Sequence, residues 1–231
     1  SLQFAARPLI APIACMSAWE ASVSQEGSVP LANVAFVEPM LKRRLSSLAR
    51  MVLCVAYDCV RAIPNARIVF ASRHGELVRT TTMLECLAAK EELSPTLFSM
   101  SVLNASAGLL SILQKRAAPS TAISAGGSSF GYGLLEACLQ LAEKPEQPVL
   151  FVYADEPAPT LYEVSEPPDK RAHALGLLLE SSAETRIAWS LAARTDAPSQ
   201  EDQSQVFLRC LEQGEADWSD SRRTWHWLRE A

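Results

Sequence analysis

Two short apolar runs constrain this chain's fold more than any other feature. Residues 67–72 read R-I-V-F-A-S, and residues 148–153 read P-V-L-F-V-Y. Both are rich in β-branched and aromatic residues and too short for a buried helix, so each predicts a buried strand. The segments around them carry a different period. From Pro39, apolar residues recur three and four apart at Leu41, Leu45, Leu48, Val52, Val55 and Cys59. That spacing predicts a helix, and Met51, Leu53 and Ala56 widen its apolar stripe to more than one side. Pro64-Asn65 marks its end.

Further helices are predicted over 80–92, opened by threonines, over 104–116 and over 130–143. Residues 121–124 form a short strand ahead of the glycine turn Gly126-Gly127. Residues 155–170 hold four prolines and many acids, which predicts a surface loop. Residues 174–179 and 186–193 read as two strands joined by a turn. Ser199 is the expected cap of a final helix with an acidic first turn, Glu201-Asp202. Val206, Phe207, Cys210 and Leu211 supply its apolar face. Trp218, Trp225 and Trp227 belong to the helical tail expected over 199–231, or to a docking patch on it. Residues 5–37 give no clear period. Helices alternating with single strands predict an α/β fold, here a single domain over 1–231.

Composition excludes several functions. The net charge is −5, against the basic face that nucleic-acid binding needs. Lys42-Arg43-Arg44 is the one basic cluster, and a solvated helix face accounts for it. No apolar run reaches the ~18 residues of a membrane span. The first 16 residues lack the order of a signal peptide. The six cysteines show no metal-ligand spacing, which predicts reduced thiols in a cytoplasmic protein without a metal or other cofactor.

The chemistry concentrates at T-A-I-S-A-G-G-S-S-F-G-Y-G, which joins a strand to a helix. Such a turn presents a side chain where helix N–H groups favour negative charge. Two readings compete. Gly127-Ser128-Ser129-Phe130-Gly131 fits G-x-S-x-G, with Ser129 as the nucleophile of an acyl-transfer enzyme. Such a serine needs a downstream acid and histidine, and only His173 and His226 follow it.

The second reading rests on wider context. Ser94-Pro95, Asn104 and Ala107-Gly108 resemble the S-P…N-x-x-A-G segment of the β-ketoacyl synthases, and Pro119 falls at that family's G-P turn. The glycine turn is similar to the family's A-C-x-S-G nucleophile loop. Gly126 stands for the alanine, Gly127 for the nucleophilic cysteine, Ser129 for the serine, and Phe130 replaces the glycine. No gap is needed from Asn104 to Gly127. Residues 149–156, V-L-F-V-Y-A-D-E, are similar to the strand ending in A-G-G-A-E, with Tyr153 and Ala154 in place of its two glycines. Residues 176–180, G-L-L-L-E, resemble the later A-x-x-L-V-L-E strand. The resemblance spans roughly residues 67–190.

That resemblance implies half of a thiolase-like fold, layered α-β-α around a mixed central sheet. It implies no catalysis, because a glycine at 127 has no thiol to acylate. The two histidines of the family's second half are expected to be absent, the chain stopping where that half begins. It implies a chain-length-factor role, in which the subunit pairs with an active synthase and shapes its acyl tunnel. An acyl carrier protein is the partner reached through that complex, and aryl polyene biosynthesis the preferred setting. The tunnel and interface residues so implied are Leu97, Phe98, Met100, Leu103, Asn104, Thr121, Ile123, Ala125 and Phe130. Strand residues 121–125 are expected at a sheet edge that a partner covers. Two other roles stay open: the Ser129 enzyme, and an acyl- or carrier-binding module using Lys42-Arg43-Arg44. Arg73-His74-Gly75-Glu76 reads as a surface loop or an interface network, the loop being preferred.

Overall fold

The computed structural model describes residues 8–21, 31–60, 66–113, 119–162, 171–194 and 197–230. Its centre is an eight-stranded mixed sheet. The strands are β1 (Leu9–Glu20), β2 (Arg67–Ala71), β3 (Ser120–Ile123), β4 (Val149–Asp155), β5 (His173–Leu179), β6 (Thr185–Ala193), β7 (Glu215–Ser219) and β8 (Arg223–Arg229). They lie in the order β3-β2-β4-β5-β1-β6-β8-β7. The three at one end, β3, β2 and β4, are parallel. The remaining pairs are antiparallel.

Strand periodicity divides the core into two layers. On β4, Leu150, Val152 and Ala154 face one layer, and Val149, Phe151 and Tyr153 the other. The first layer is α2 (Ser47–Val60) and α5 (Ala105–Leu113). The second is α6 (Ser129–Glu143) and α7 (Gln203–Gln213). This is the α-β-α layering expected. Three further helices, α1 (Pro39–Lys42), α3 (Leu77–Ala88) and α4 (Pro95–Ser99), are described.

Several expectations change. The single helix from Pro39 breaks after Lys42, because Ser46 caps α2 by accepting the Ala49 N–H at 2.9 Å. Residues 9–20, without a clear period in the sequence, form β1, the longest strand. Pro12 obscures it, yet the strand tolerates that proline beside a register shift between Ile13 and Cys15. Strands β5 and β6 are joined by a turn but do not pair, since β1 lies between them. The helical tail is also corrected. The α7 cap is Asp202, not Ser199, and the chain after α7 is the hairpin β7–β8. Its alternation T-W-H-W-L puts Trp225 and Trp227 on one face, in the α6–α7 core layer. The expected stop at Pro64-Asn65, the end of the 104–116 helix and residues 163–170 of the acidic loop lie outside the described residues.

Among the described residues no helix is long and apolar enough to cross a membrane, and no group of side chains forms a metal site.

Candidate functional site

The turn between β3 and α6 is built by its own side chains. Gly126 takes φ +58°, a left-handed conformation that glycine adopts without strain. The Ser129 hydroxyl, fully buried, donates to the Gly126 carbonyl at 2.7 Å and accepts the Ala125 N–H at 2.8 Å. It therefore staples the turn. The Ser128 hydroxyl donates to Asp220 Oδ2 at 2.5 Å, beyond β7. Burial pulls the Asp220 carboxyl up, but Ser128 and the Arg222 and Arg223 N–H groups outweigh it and hold the carboxyl below its usual value. Neither serine has a histidine among its hydrogen-bond partners, which removes the support for the Ser129 enzyme.

Gly127 is exposed at the end of a cleft of about 540 Å³. A Cβ built there would meet the Trp218 ring at 3.7 Å, an ordinary contact, and the backbone is not left-handed. Neither space nor conformation demands glycine at this position. By contrast, a Cβ on Gly131, one turn along α6, would lie 2.7 Å from Trp225 and 2.8 Å from Gln203 Nε2. Gln203 also accepts the Gly131 N–H at 2.8 Å. The C-terminal hairpin and α7 are thus clamped onto the first turn of α6.

The same cleft holds a buried polar cluster that the sequence does not reveal. His173 Nε2 lies 3.2 Å from Asp202 Oδ1, and the Tyr153 hydroxyl donates to Asp202 Oδ2 at 3.0 Å. His173 Nδ1 faces the Arg171 carbonyl at 2.9 Å. Burial alone would lower the His173 pKa, but Asp202, the Arg171 carbonyl and Asp155 raise it above the usual histidine value. Burial likewise opposes the Asp202 charge, yet His173 and Ser204 hold its carboxyl well below the usual range. Asp202 ties the α7 cap to β4 through the Tyr153 hydroxyl and lies against His173 of β5. His226 pairs instead with Asp217 on the exposed side of the hairpin, at 2.7 Å.

The residues expected at an interface divide. β3 is a sheet edge, with Thr121 and Ile123 half-buried. Thr121 accepts the Gln140 amide at 3.1 Å. Ile123 and Ala125 line a groove of about 400 Å³ along α6, completed by Tyr132, Leu135, Glu136 and Leu139. Phe98, 61% exposed, and Asn104 lie at the surface. Leu97 is half-buried, while Met100 and Leu103 lean on the first core layer. Phe130 is fully buried, its ring centroid 5.0 Å from that of Phe207 and 5.4 Å from that of Phe151, and it offers no exposed surface. The missed groove residues had a signal, because 132, 135 and 139 are spaced three and four apart on one helix face.

The loop Arg73-His74-Gly75-Glu76 is also not an ordinary surface loop. Glu76 is buried and accepts the Ser46 hydroxyl at 2.7 Å, and the His74 N–H donates to Asp155 at 3.2 Å. Ser124, next to the nucleophile-like turn, donates to the Arg73 carbonyl.

A family model for the β-ketoacyl synthase N-terminal domain matches residues 16–228. The chain belongs to this family. No curated protein matches the chain. Among solved structures, it is similar to a chain of the ketosynthase (ApeO)–chain length factor (ApeC) complex from Xenorhabdus doucetiae. That match has 29% identity and a TM-score of 0.82, covering 96% of this chain and 100% of that one. The ishigamide ketosynthase/chain length factor matches at 16% identity and TM-score 0.60, over 89% of this chain and 73% of that one. A β-ketoacyl synthase from Burkholderia phymatum matches at 13% and 0.56, over 87% and 61%. The last two support the thiolase-like half fold alone.

Proposed function

We propose that this chain is a non-catalytic, chain-length-factor-like subunit that pairs with an active β-ketoacyl synthase and shapes its acyl tunnel. One observation carries the reading. The turn that resembles the family's nucleophile loop is stapled by Ser129 and has room for a side chain at 127, yet it holds glycine. A glycine forms no acyl thioester. The likeness to a ketosynthase–chain length factor complex supports the pairing. The uncharged edge strand β3 and its apolar groove supply a surface for it. In this reading Ile123, Ala125 and Thr121 meet the synthase, with Leu97, Phe98, Met100, Leu103 and Asn104 beside the tunnel. Aryl polyene synthesis is the setting, the acyl carrier protein is met through the complex, and six free thiols agree with the cytoplasm.

The test is coexpression with the synthase encoded nearby. A stable heterodimer, with condensing activity that depends on this subunit but not on any of its own serines, is expected. A chain that stays monomeric beside that synthase overturns the reading.

One observation favours a second, carrier-binding role. Lys42, Arg43 and Arg44 form no ion pair among the described residues, although the chain is acidic overall. Arg50 and Arg79 donate to the Lys42 and Arg44 carbonyls and hold the loop in place. Carrier binding unchanged by charge reversal at 42–44 excludes this role.

A further inference from the structure

A separate cavity lies on the opposite core layer, away from Gly127. It is a half-open cavity of about 210 Å³ and is largely apolar, lined by Trp19, Ala32, Met51, Val78, Pro157 and Glu156 among others. Glu156 is the exception in chemistry. Only 8% of its surface is exposed. Its Oε2 accepts the Ser47 hydroxyl at 2.5 Å, but its Oε1 is buried without a hydrogen-bond partner. Leaving a buried carboxyl oxygen unpaired costs about 1–3 kcal/mol. Burial pushes this carboxyl above its usual range, against the pull of Ser47 and Arg79. In its neutral form Oε1 is a donor, and in its ionised form an acceptor. A hydroxyl group, which both donates and accepts, satisfies either.

Size narrows the class of ligand. A dry cavity of about 150 Å³ lined by aliphatic and aromatic side chains accepts benzene. This one has room for a single ring and a few further atoms. Trp19 offers a ring face and Met51 a polarizable thioether, both suited to an aromatic guest.

We propose that this cavity is a binding site for a small single-ring molecule bearing one neutral hydroxyl, which hydrogen-bonds to Glu156 as its carboxyl, whose Oε1 is itself inaccessible, turns toward the cavity, while the ring packs between Trp19 and Met51. The site uses no residue of the nucleophile turn or of the β3 edge, so its success or failure is independent of the pairing with a synthase.

The test compares three probes by ligand-observed NMR and titration calorimetry on the full chain: 4-methylphenol, toluene and 4-methylbenzoate. Saturable 1:1 binding of 4-methylphenol is expected. Toluene should bind about ten-fold more weakly, one hydrogen bond's worth, and the anion should not bind. Glu156→Leu should erase the preference for the phenol over toluene, and Glu156→Gln should keep most of it. If Glu156→Leu does not fold, Val78→Trp, which fills the cavity from a half-exposed position, should abolish binding of both neutral probes. Non-saturable binding, equal affinity for phenol and toluene, or binding undisturbed by Val78→Trp each overturns the proposal.

Discussion

The two edges of the sheet differ in a way that sorts their roles. β7 carries Glu215 and Asp217 and turns Trp218 inward. Charged residues on a short strand discourage pairing with another chain. β3 has the sequence S-T-A-I, with no charge, and continues into a groove of Ile123, Ala125, Tyr132, Leu135 and Leu139. The guarded edge is built for water. The unguarded one has the composition of an edge that a partner completes, which gives the proposed pairing a location.

That contrast can be broken by removing one outward N–H from each edge. The Pro119 and Ile123 carbonyls accept from Ile68 and Ser72, so alternate β3 residues bond to β2, and Ser120 and Ala122 bond outward. Ala122→Pro removes an outward donor and bends the edge, and should weaken synthase binding by about 100-fold or more, as the loss of roughly two main-chain hydrogen bonds would. Glu215→Pro, at the first residue of β7, should leave binding unchanged. Titration of each variant against the synthase decides. Equal losses would mean that β3 has no special role.

The guarded end should fail in a different way, by unfolding. Gly131→Ala drives a Cβ into Trp225 and Gln203, where α6 meets the C-terminal hairpin. The expected loss is about 2–3 kcal/mol, an overpacking cost, read as a lower midpoint in chemical denaturation. Gly108→Ala, with nothing within 4 Å of the added Cβ, is the control and should be neutral or stabilising.

These contrasts also show what the sequence could and could not reveal. Strands β2 and β4 and the glycine turn were legible because their signals are local: apolar runs, and glycines at a strand–helix junction. The match of letters from Asn104 to Gly127 could not say that Phe130 points into the core, because it carries no side-chain direction. The β7–β8 hairpin was hidden behind the helix signals ahead of it, although Trp225 and Trp227 already had the strand period. The pair His173–Asp202 joins residues 29 apart through β5 and the α7 cap, and no local pattern announces such a contact.

A smaller effect follows from that pair, which anchors the guarded end only. The folded His173 pKa lies above its ordinary 6.5, so its contribution is complete below about pH 6.5 and is lost as pH rises through the folded value. The folded Asp202 pKa lies below its ordinary 3.8, so its contribution is complete above about pH 4 and is lost as pH falls through the folded value. Attachment of α7 is therefore strongest between about pH 4 and 6.5. Stability measured from pH 6 to pH 8.5 should decline, and His173→Gln should flatten that decline. Pairing through β3, which has no titrating group on its strand, should not follow the same curve.

The smallest effect is expected at Gly127 itself. Its Cβ site is open and its backbone unstrained, so Gly127→Cys should change stability by less than about 0.5 kcal/mol. The new thiol should alkylate with iodoacetamide, since the position faces an open cleft. Condensation should still not appear in the isolated chain. No histidine contacts either neighbouring serine, and the one histidine lining the cleft is held by Asp202 and the Arg171 carbonyl. A thiol that alkylates yet never turns over would show that the turn lost its nucleophile without losing its shape. A thiol that turns over would make the glycine the only barrier to catalysis, and the chain a synthase one residue away from activity.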